Sequence, residues 1–219
     1  MKGQNRKIVL GGLSAVVVVL GLAAVIIYAV PSQSSPSGQT TSWLKVGAYV
    51  RYDQVFQWNG GNATKTMSWN ITAVSEDLAR LAITSYTFNV TNGGVVIYQV
   101  EELWTVNSMT GQIVSVSAAS SGPNYTGFTN PFWTDTDVKA GSLIDAYFGT
   151  YGILQQGGTI DVAGRSLSCW EVSLQWEVGT MQRWYDTSTG IVVKIVTTMA
   201  RGGIHMNVTE TATASNIQL

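Results

Sequence analysis

Hydrophobic and polar residues alternate with a period of two along most of the chain after residue 43. The clearest case is residues 67–73, which read Met-Ser-Trp-Asn-Ile-Thr-Ala. Successive side chains of a β-strand point to opposite faces, so Trp69 should point into a core and Asn70 should point to solvent. The pattern therefore predicts strands that bury one face.

Similar runs follow one another at the spacing of β-hairpins, separated by turns rich in Gly, Asn, Asp and Ser. No window beyond residue 30 shows a convincing period of 3.6, and residues 141–152 are the best candidate for a helix in place of a strand. The prediction is an all-β domain, an antiparallel meander of about ten strands that forms a curved sheet or half-barrel. The predicted strands cover residues 48–58, 67–73, 78–90, 95–106, 112–118, 143–148, 159–162, 166–176, 180–185, 191–199 and 204–213.

The N-terminal part shows a different pattern, because residues 8–30 contain no charged residue. A helix of that length is about 35 Å long, enough to cross a hydrocarbon core of about 30 Å. Three basic residues precede this segment and the next charge is Lys45, so the positive-inside rule places the N-terminus in the cytoplasm. We expect a cytoplasmic tail at 1–7 and a transmembrane signal anchor at 8–30, which make a single-pass protein of the cell membrane.

A cleaved signal peptide is the first alternative to an uncleaved anchor. Its apolar region usually has about 7–15 residues, which is shorter than residues 8–30, and the sequence around Val30 offers a poor cleavage site. A pilin-type leader would leave Arg6 and Lys7 at the start of the mature helix, unlike pilins. A helix buried in a soluble core would need an equally apolar partner, and no other segment qualifies.

Residues 31–42 are small, polar and uncharged, which is typical of a flexible linker. Residues 43–219 then form the extracytoplasmic domain, whose size suits one domain. All 13 acidic residues lie after residue 30 together with 9 of the 12 basic ones, so the external part is mildly acidic. A domain of this charge is not expected to bind nucleic acid or anionic lipid surfaces.

The inventory of reactive side chains predicts neither a catalytic centre nor a metal or cofactor site. One Cys and one His exclude an intramolecular disulfide and a thiolate metal cluster, and they leave little room for zinc or histidine-based catalysis. Glu101 and Glu102 fall on opposite faces of a strand, so they cannot act as a catalytic pair. Asp135 and Asp137 share a face and form a weak alternative site for Ca²⁺. We expect Cys169 to be a buried free thiol, with an intermolecular disulfide as the alternative, and His205 to lie at the surface.

Five Asn-x-Thr sequons follow the apolar segment, where chance alone predicts about one or two. Their presence agrees with an external location, and we expect some of them to carry N-linked glycans. The alternative explanation is that Thr is abundant in β-strands and that Asn is common in turns. The acceptor residues are Asn62, Asn70, Asn89, Asn124 and Asn207.

The chain has 8 Trp, 9 Tyr and 5 Phe, most of them in predicted strands, where they should form the core of the sheet. Residues 119–139 form a long irregular stretch instead. Phe128, Phe132 and Trp133 lie in this stretch and are the candidate contacts for a ligand or partner, with Trp133 predicted to be exposed. The stretch would then act as a lid or an interaction patch.

Residues 183–194 read Arg-Trp-Tyr-Asp-Thr-Ser-Thr-Gly-Ile-Val-Val-Lys, a strand, an Asp-initiated turn closed by Gly, and a second strand. This hairpin resembles one in LolA-like extracytoplasmic half-barrel proteins, and it is similar to hairpins of uncharacterised archaeal membrane-anchored β-rich surface proteins. The resemblance implies a concave apolar sheet that binds acyl chains. A membrane tether would separate this chain from soluble carriers, which move between membranes.

The sequence alone favours a non-enzymatic binding role for a glycosylated surface domain. Its partner would be an envelope protein, a glycan or other envelope polymer, or a lipid-like ligand. A structural envelope protein that assembles with its own copies is the alternative, because a charge-poor sheet suits lateral strand pairing. An enzyme of unrecognised type is a minor alternative, since the usual catalytic constellations are missing.

Overall fold

The alternating segments form one continuous antiparallel sheet in the computed structural model, which describes residues 42–91, 94–118 and 125–219. Of residues 87–91, 94–98 and 118 it describes only the backbone. All described residues belong to one unit, Ser34–Leu219. The strands are β1 Tyr49–Trp58, β2 Gly61–Ser75, β3 Leu78–Thr91, β4 Gly94–Asn107, β5 Ile113–Ala118, β6 Leu143–Tyr147, β7 Thr150–Val162, β8 Arg165–Trp176, β9 Gly179–Asp186, β10 Val192–Arg201 and β11 Ile204–Ser215.

The order across the sheet is β5-β4-β3-β2-β1-β11-β10-β9-β8-β7-β6. Every neighbouring pair is antiparallel and consecutive in the chain except β1 and β11, which join the first and last strands in the middle of the sheet. The sheet is open, with β5 and β6 at its edges. The prediction of an all-β antiparallel meander of about ten strands in a curved sheet is confirmed.

The helix considered for residues 141–152 is wrong, because this segment forms β6, a tight turn and the start of β7. Ile144 and Ala146 are buried while Leu143 is exposed, which is the period of a strand. The strand predicted at 159–162 begins much earlier, at Thr150. The glycines of this segment have no side chains, so they hide the alternation that would mark a strand. Gly157 is needed because a Cβ there would lie 2.9 Å from the backbone nitrogen of Glu171.

Alternation predicts the two faces of β2 correctly. Trp69 is fully buried, whereas Asn70 is exposed. We call the face that carries Trp69 the inner face. Aromatic rings cluster on it, since the Trp69 ring centroid lies 5.9 Å from that of Trp43 and 5.7 Å from that of Trp133. A second, smaller core between β6 and β10 contains Ile144, Ala146, Leu154, Val172, Leu174, Met181, Tyr185 and Val192.

The turn between β9 and β10 shows why the hairpin at residues 183–194 has its sequence. The buried Asp186 carboxylate accepts hydrogen bonds from the Ser188 hydroxyl at 2.6 Å and from the Thr189 backbone and hydroxyl at 2.9 and 2.6 Å. Gly190 has φ +71°, and a Cβ there would lie 2.2 Å from the carbonyl oxygen of Thr134. Asp186 therefore caps the turn, and Gly190 lets another segment pass against it.

That other segment, residues 125–134, is here called the inner loop, and it runs over the inner face from β5 to β10. At one end the Ile113 amide donates to the Phe128 carbonyl at 2.7 Å. At the other end the Val192 amide donates to the Phe132 carbonyl at 2.9 Å, and Trp133 forms a β-bridge with Ile191. The irregular stretch of the sequence is thus an ordered cover of the sheet at these residues.

The predicted exposure of Trp133 is wrong. Only 5% of the residue is exposed, because its ring packs edge-on against Trp43 at 5.4 Å and against Trp69. An unpaired aromatic residue in a loop looked accessible in the sequence, but the loop folds back onto the sheet and buries it.

The predicted tail, membrane anchor and linker at 1–7, 8–30 and 31–42 lie outside the described residues, apart from Ser42. Within the described ranges, no helix has the length and apolar character needed to cross a membrane.

A candidate ligand site on the inner face

A cavity of about 310 Å³ lies between the inner face of the sheet and the inner loop. Its floor comes from β1 to β4 and from β9 to β11, and its cover from the inner loop and the end of β6. The floor includes Gln54, Lys65, Val100, Glu102, Arg183 and Glu210, and the cover includes Tyr125, Phe132, Tyr147 and Phe148.

Strand register places four polar side chains in one row on the floor of the cavity. Lys65 of β2 pairs with Gln54 of β1, and Gln54 pairs with Glu210 of β11. Glu210 pairs with Ile195 of β10, which pairs with Arg183 of β9. Directly paired residues of antiparallel strands share a face, so Glu210 lies between two cations, each two strands away.

Arg183 is fully buried and connects the floor of the cavity to its cover. Its guanidinium donates hydrogen bonds to the Ala146 carbonyl at the end of β6 and to the Pro131 carbonyl of the inner loop. The rings of Tyr147 and Tyr185 lie 5.6 and 5.8 Å from the guanidinium carbon, within range of cation–π attraction. Within the described part of the chain, Arg183 Nε has no hydrogen-bond partner.

Glu210 is buried beside Gln54, whose side-chain amide donates a hydrogen bond to the Glu210 carboxyl. Burial raises the pKa of the Glu210 carboxyl above its ordinary value. The hydrogen bond from Gln54 and the nearby cations act in the opposite direction but are the smaller effects. Burial likewise lowers the pKa of the partly buried Lys65 ammonium, against the smaller influence of Glu210 and Glu102.

The cover and one wall of the cavity are aromatic. The Tyr125 and Phe148 rings stack with centroids 4.3 Å apart, and Trp104 lies 5.4 Å from Tyr125 and 5.5 Å from Phe132. Burial raises the pKa of Tyr125 to about 12, so its hydroxyl stays neutral at physiological pH. The cavity therefore combines a charged floor with an apolar wall.

The three aromatic residues that the sequence suggested as ligand contacts lie at different places around the cavity. Phe132 lines the cavity, whereas Phe128 packs edge-on against Phe148 with ring centroids 6.3 Å apart. Trp133 is buried in the aromatic cluster next to Trp43 and does not appear among the lining residues.

Three of the five sequon residues are exposed in strands, namely Asn62, Asn70 and Asn207. Asn62 and Asn207 both pair with Gln57 of β1, so they lie on the same face, opposite to Trp58. The side chain of Asn89 and all of Asn124 lie outside the described residues.

The other reactive residues occupy sites away from the cavity. Cys169 is a buried free thiol, as predicted, and burial raises its pKa to about 11. His205 is exposed, as predicted. Asp135 accepts a hydrogen bond at 3.0 Å from the backbone of Asp137. Across the described ranges, no three His, Cys, Asp or Glu residues are grouped so that they could hold a metal ion.

The four polar residues of the row, Lys65, Gln54, Glu210 and Arg183, are functional candidates that could not be recognised from the sequence. Each occupies an inner-face position in a strand whose neighbouring inner-face positions are apolar: Gln54 follows Tyr52, Lys65 precedes Met67, Arg183 follows Met181 and Glu210 precedes Ala212. One such interruption is visible in the sequence at Gln54. The signal that joins all four is the strand register, which the sequence does not provide.

A second recess of about 660 Å³ lies at the tips of the hairpins β1–β2, β8–β9 and β10–β11. It is wider and more open, with Trp58, Trp176, Met199 and Met206 among its walls. The inner-face cavity is the stronger candidate site because buried charged groups converge in it, as in ligand sites of other proteins.

Comparison with known proteins finds only distant likenesses. No protein-family model matches the chain, and no curated protein matches it. Among solved structures, an exported protein with a YmcC-like fold from Bacteroides fragilis is 9% identical with a TM-score of 0.41, and 78% of this chain covers 96% of that one. The lipoprotein YmcC from Escherichia coli K12 is 16% identical with a TM-score of 0.33, over 77% of this chain and 89% of its own.

An outer membrane lipoprotein-sorting protein domain from Vibrio parahaemolyticus is 10% identical with a TM-score of 0.24, over 80% of this chain and 87% of that domain. With TM-scores below 0.5, these likenesses carry no argument about a ligand or role.

Proposed function

We propose that this protein is a non-enzymatic binding domain that holds a small amphipathic, lipid-like ligand in its inner-face cavity. The observation that supports the proposal is the cavity itself: about 310 Å³ of space with an aromatic wall on one side and a row of charged groups on the other. Amphipathic molecules carry both characters, so such a molecule would satisfy both surfaces of the cavity.

The energetics of the cavity agree with a binding role. Burying charged groups such as Glu210 and Arg183 costs free energy. Proteins keep such groups despite this cost mainly at functional sites. A nucleophile adjacent to a base would be needed for the common hydrolytic mechanisms. Cys169 and His205, the chain's one Cys and one His, are not among the residues that line this cavity, so its groups are better suited to hold a ligand than to transform it.

Filling the cavity should abolish binding. Val100 lines the cavity and is 37% exposed, so a Trp at this position can extend into the space without breaking the core. We expect Val100→Trp to reduce the fluorescence enhancement of the uncharged apolar probe N-phenyl-1-naphthylamine at least about tenfold, as expected for loss of a buried ligand contact.

The matched control is Leu103→Trp, an equivalent change on the same strand but on the opposite face, where Leu103 is 47% exposed. Both variants should be titrated in the full chain held in amphipol. Equal probe binding by the two variants would show that the probe does not occupy the cavity and would contradict the proposal.

We further propose that residues 8–30 anchor the protein in the cell membrane by a single pass and that residues 31–42 link this anchor to the external domain. The uncharged segment and the basic residues before it support the anchor. The exposed positions of Asn62, Asn70 and Asn207 are compatible with N-linked glycans on the external domain.

Protease treatment of intact cells tests this topology. We expect the external domain to be digested while a small N-terminal fragment stays in the membrane. Mature protein that begins near residue 32 and is found in the medium would instead show that the apolar segment is a cleaved signal peptide.

A further inference from the structure

We propose that the ligand of the inner-face cavity is an acid, an amphiphile whose carboxylate or phosphate group binds the Lys65 ammonium. This inference rests on the proposed function and adds the chemical class of the headgroup. The supporting observation is that, within the described residues, Lys65 and Arg183 have N–H donors without an acceptor.

The two cations of the cavity keep unused donors. Within the described residues, no acceptor lies at ion-pair or hydrogen-bond distance from the Lys65 ammonium, although Lys65 is partly buried and lines the cavity. Arg183 uses its two terminal nitrogens for the Ala146 and Pro131 carbonyls, and its Nε remains buried without a partner. A buried donor without an acceptor is costly, so a ligand group that supplies an acceptor would gain affinity at either position.

The two carboxylates of the cavity already have protein donors. Glu210 accepts the hydrogen bond from the Gln54 amide, and Glu102 accepts one at 2.7 Å from the indole nitrogen of Trp104. The groups that lack partners are therefore positive rather than negative. An acidic headgroup fits this imbalance, whereas an ammonium headgroup would bring a further positive charge next to Lys65.

The cavity volume and its apolar wall define the rest of the ligand. A space of about 310 Å³ holds about ten non-hydrogen atoms at the roughly 30 Å³ that each water occupies in the liquid. The headgroup accounts for a few of these atoms, and the aromatic wall of Trp104, Tyr125, Phe132 and Phe148 suits an alkyl chain of moderate length. Octyl compounds are therefore suitable probes.

Calorimetric titration of the full chain in amphipol tests the inference with five probes: octanoate, octyl phosphate, octanol, octyltrimethylammonium and inorganic phosphate. We expect the two octyl acids to bind at least about tenfold more tightly than octanol, because each charge-assisted hydrogen bond contributes about that factor. Inorganic phosphate should bind far more weakly than octyl phosphate, since it lacks the alkyl chain that the wall accommodates.

Lys65→Met keeps the length and the apolar stem of the side chain but removes its charge, and it should fold because Lys65 is only partly buried. We expect it to lower the affinity for the octyl acids about tenfold and leave that for octanol unchanged. Lys139→Met is the matched control, since Lys139 is exposed and does not line the cavity. It should bind every probe as the wild type does.

The possible outcomes separate this inference from the proposed function. Equal binding of octanol and the octyl acids, tighter binding of octyltrimethylammonium, or equal binding of inorganic phosphate and octyl phosphate would overturn the acid headgroup while a cavity ligand remains. Unchanged acid binding in Lys65→Met would also overturn it. If no octyl compound binds, both the inference and the proposed function are wrong.

Discussion

Replacing Trp69 with Ala is expected to destabilise the domain by about 3–5 kcal/mol, the usual cost of removing a large buried aromatic side chain. Trp69 is fully buried at the centre of the aromatic cluster. Its ring lies 5.9 Å from that of Trp43, 5.7 Å from that of Trp133 and 6.1 Å from that of Phe132, so its loss would remove contacts with both the segment before β1 and the inner loop. Urea denaturation followed by far-UV circular dichroism measures this change.

The adjacent Asn70 provides the control, because it is exposed on the opposite face of the same strand. Asn70→Gln should change the free energy of unfolding of the unglycosylated protein by no more than about 0.5 kcal/mol. In glycosylated protein the same change should remove the mass of one glycan if Asn70 carries one. A neutral Trp69→Ala together with a strongly destabilising Asn70→Gln would contradict the register of β2.

Arg183→Met is the second change with a large expected effect, a loss of about 3–5 kcal/mol, as for removal of one partner from a buried charged network. The guanidinium joins β9 to the inner loop at Pro131 and to the end of β6 at Ala146. Methionine fills a similar volume but leaves both carbonyls without the guanidinium donor and removes one of the two cations near Glu210. The measurement is again urea denaturation.

Arg201→Met is the matched control, since Arg201 is exposed at the end of β10. It should alter the free energy of unfolding by no more than about 0.5 kcal/mol. The Arg183 variant should also release a bound apolar probe faster, because the inner loop has lost one of its attachments. Equal unfolding midpoints for the two variants would show that the guanidinium does not hold the cover of the cavity in place.

The strands could be predicted from the sequence because burial on one face leaves a period of two that is visible residue by residue. Trp69 and Asn70 show this directly, whereas residues 141–152 left a helix and a strand equally open in the sequence. The hidden start of β7 is different, because Gly152, Gly157 and Gly158 have no side chain that contributes to a pattern. Close approach to neighbouring strands, which accounts for Gly152 and Gly157, is a property of the folded sheet.

The candidate site was less predictable, because it depends on which strand positions meet. Gln54 and Glu210 are 156 residues apart in the chain and are joined only when β1 pairs with β11. The burial of Trp133 likewise depends on the inner loop reaching Ile191. Contacts between segments far apart in the chain cannot be predicted from local sequence propensity. Trp133 was therefore predicted to be exposed, although the loop buries it.

The inner loop both stabilises the fold and encloses the cavity. The inner loop covers the sheet and buries Phe132 and Trp133, yet it leaves open the space above the row from Lys65 to Arg183. A row of apolar residues would pack against the loop and close that space. The charged row is therefore the feature that we associate with a ligand.

Native mass spectrometry of the full chain, isolated from the membranes of cells that produce it, tests the central claim most directly. We predict that the wild type and Leu103→Trp carry a small molecule that denaturation releases, and that Val100→Trp does not carry it. The same bound mass in both Trp variants, or no bound molecule in the wild type, would contradict the claim that the inner-face cavity holds a ligand.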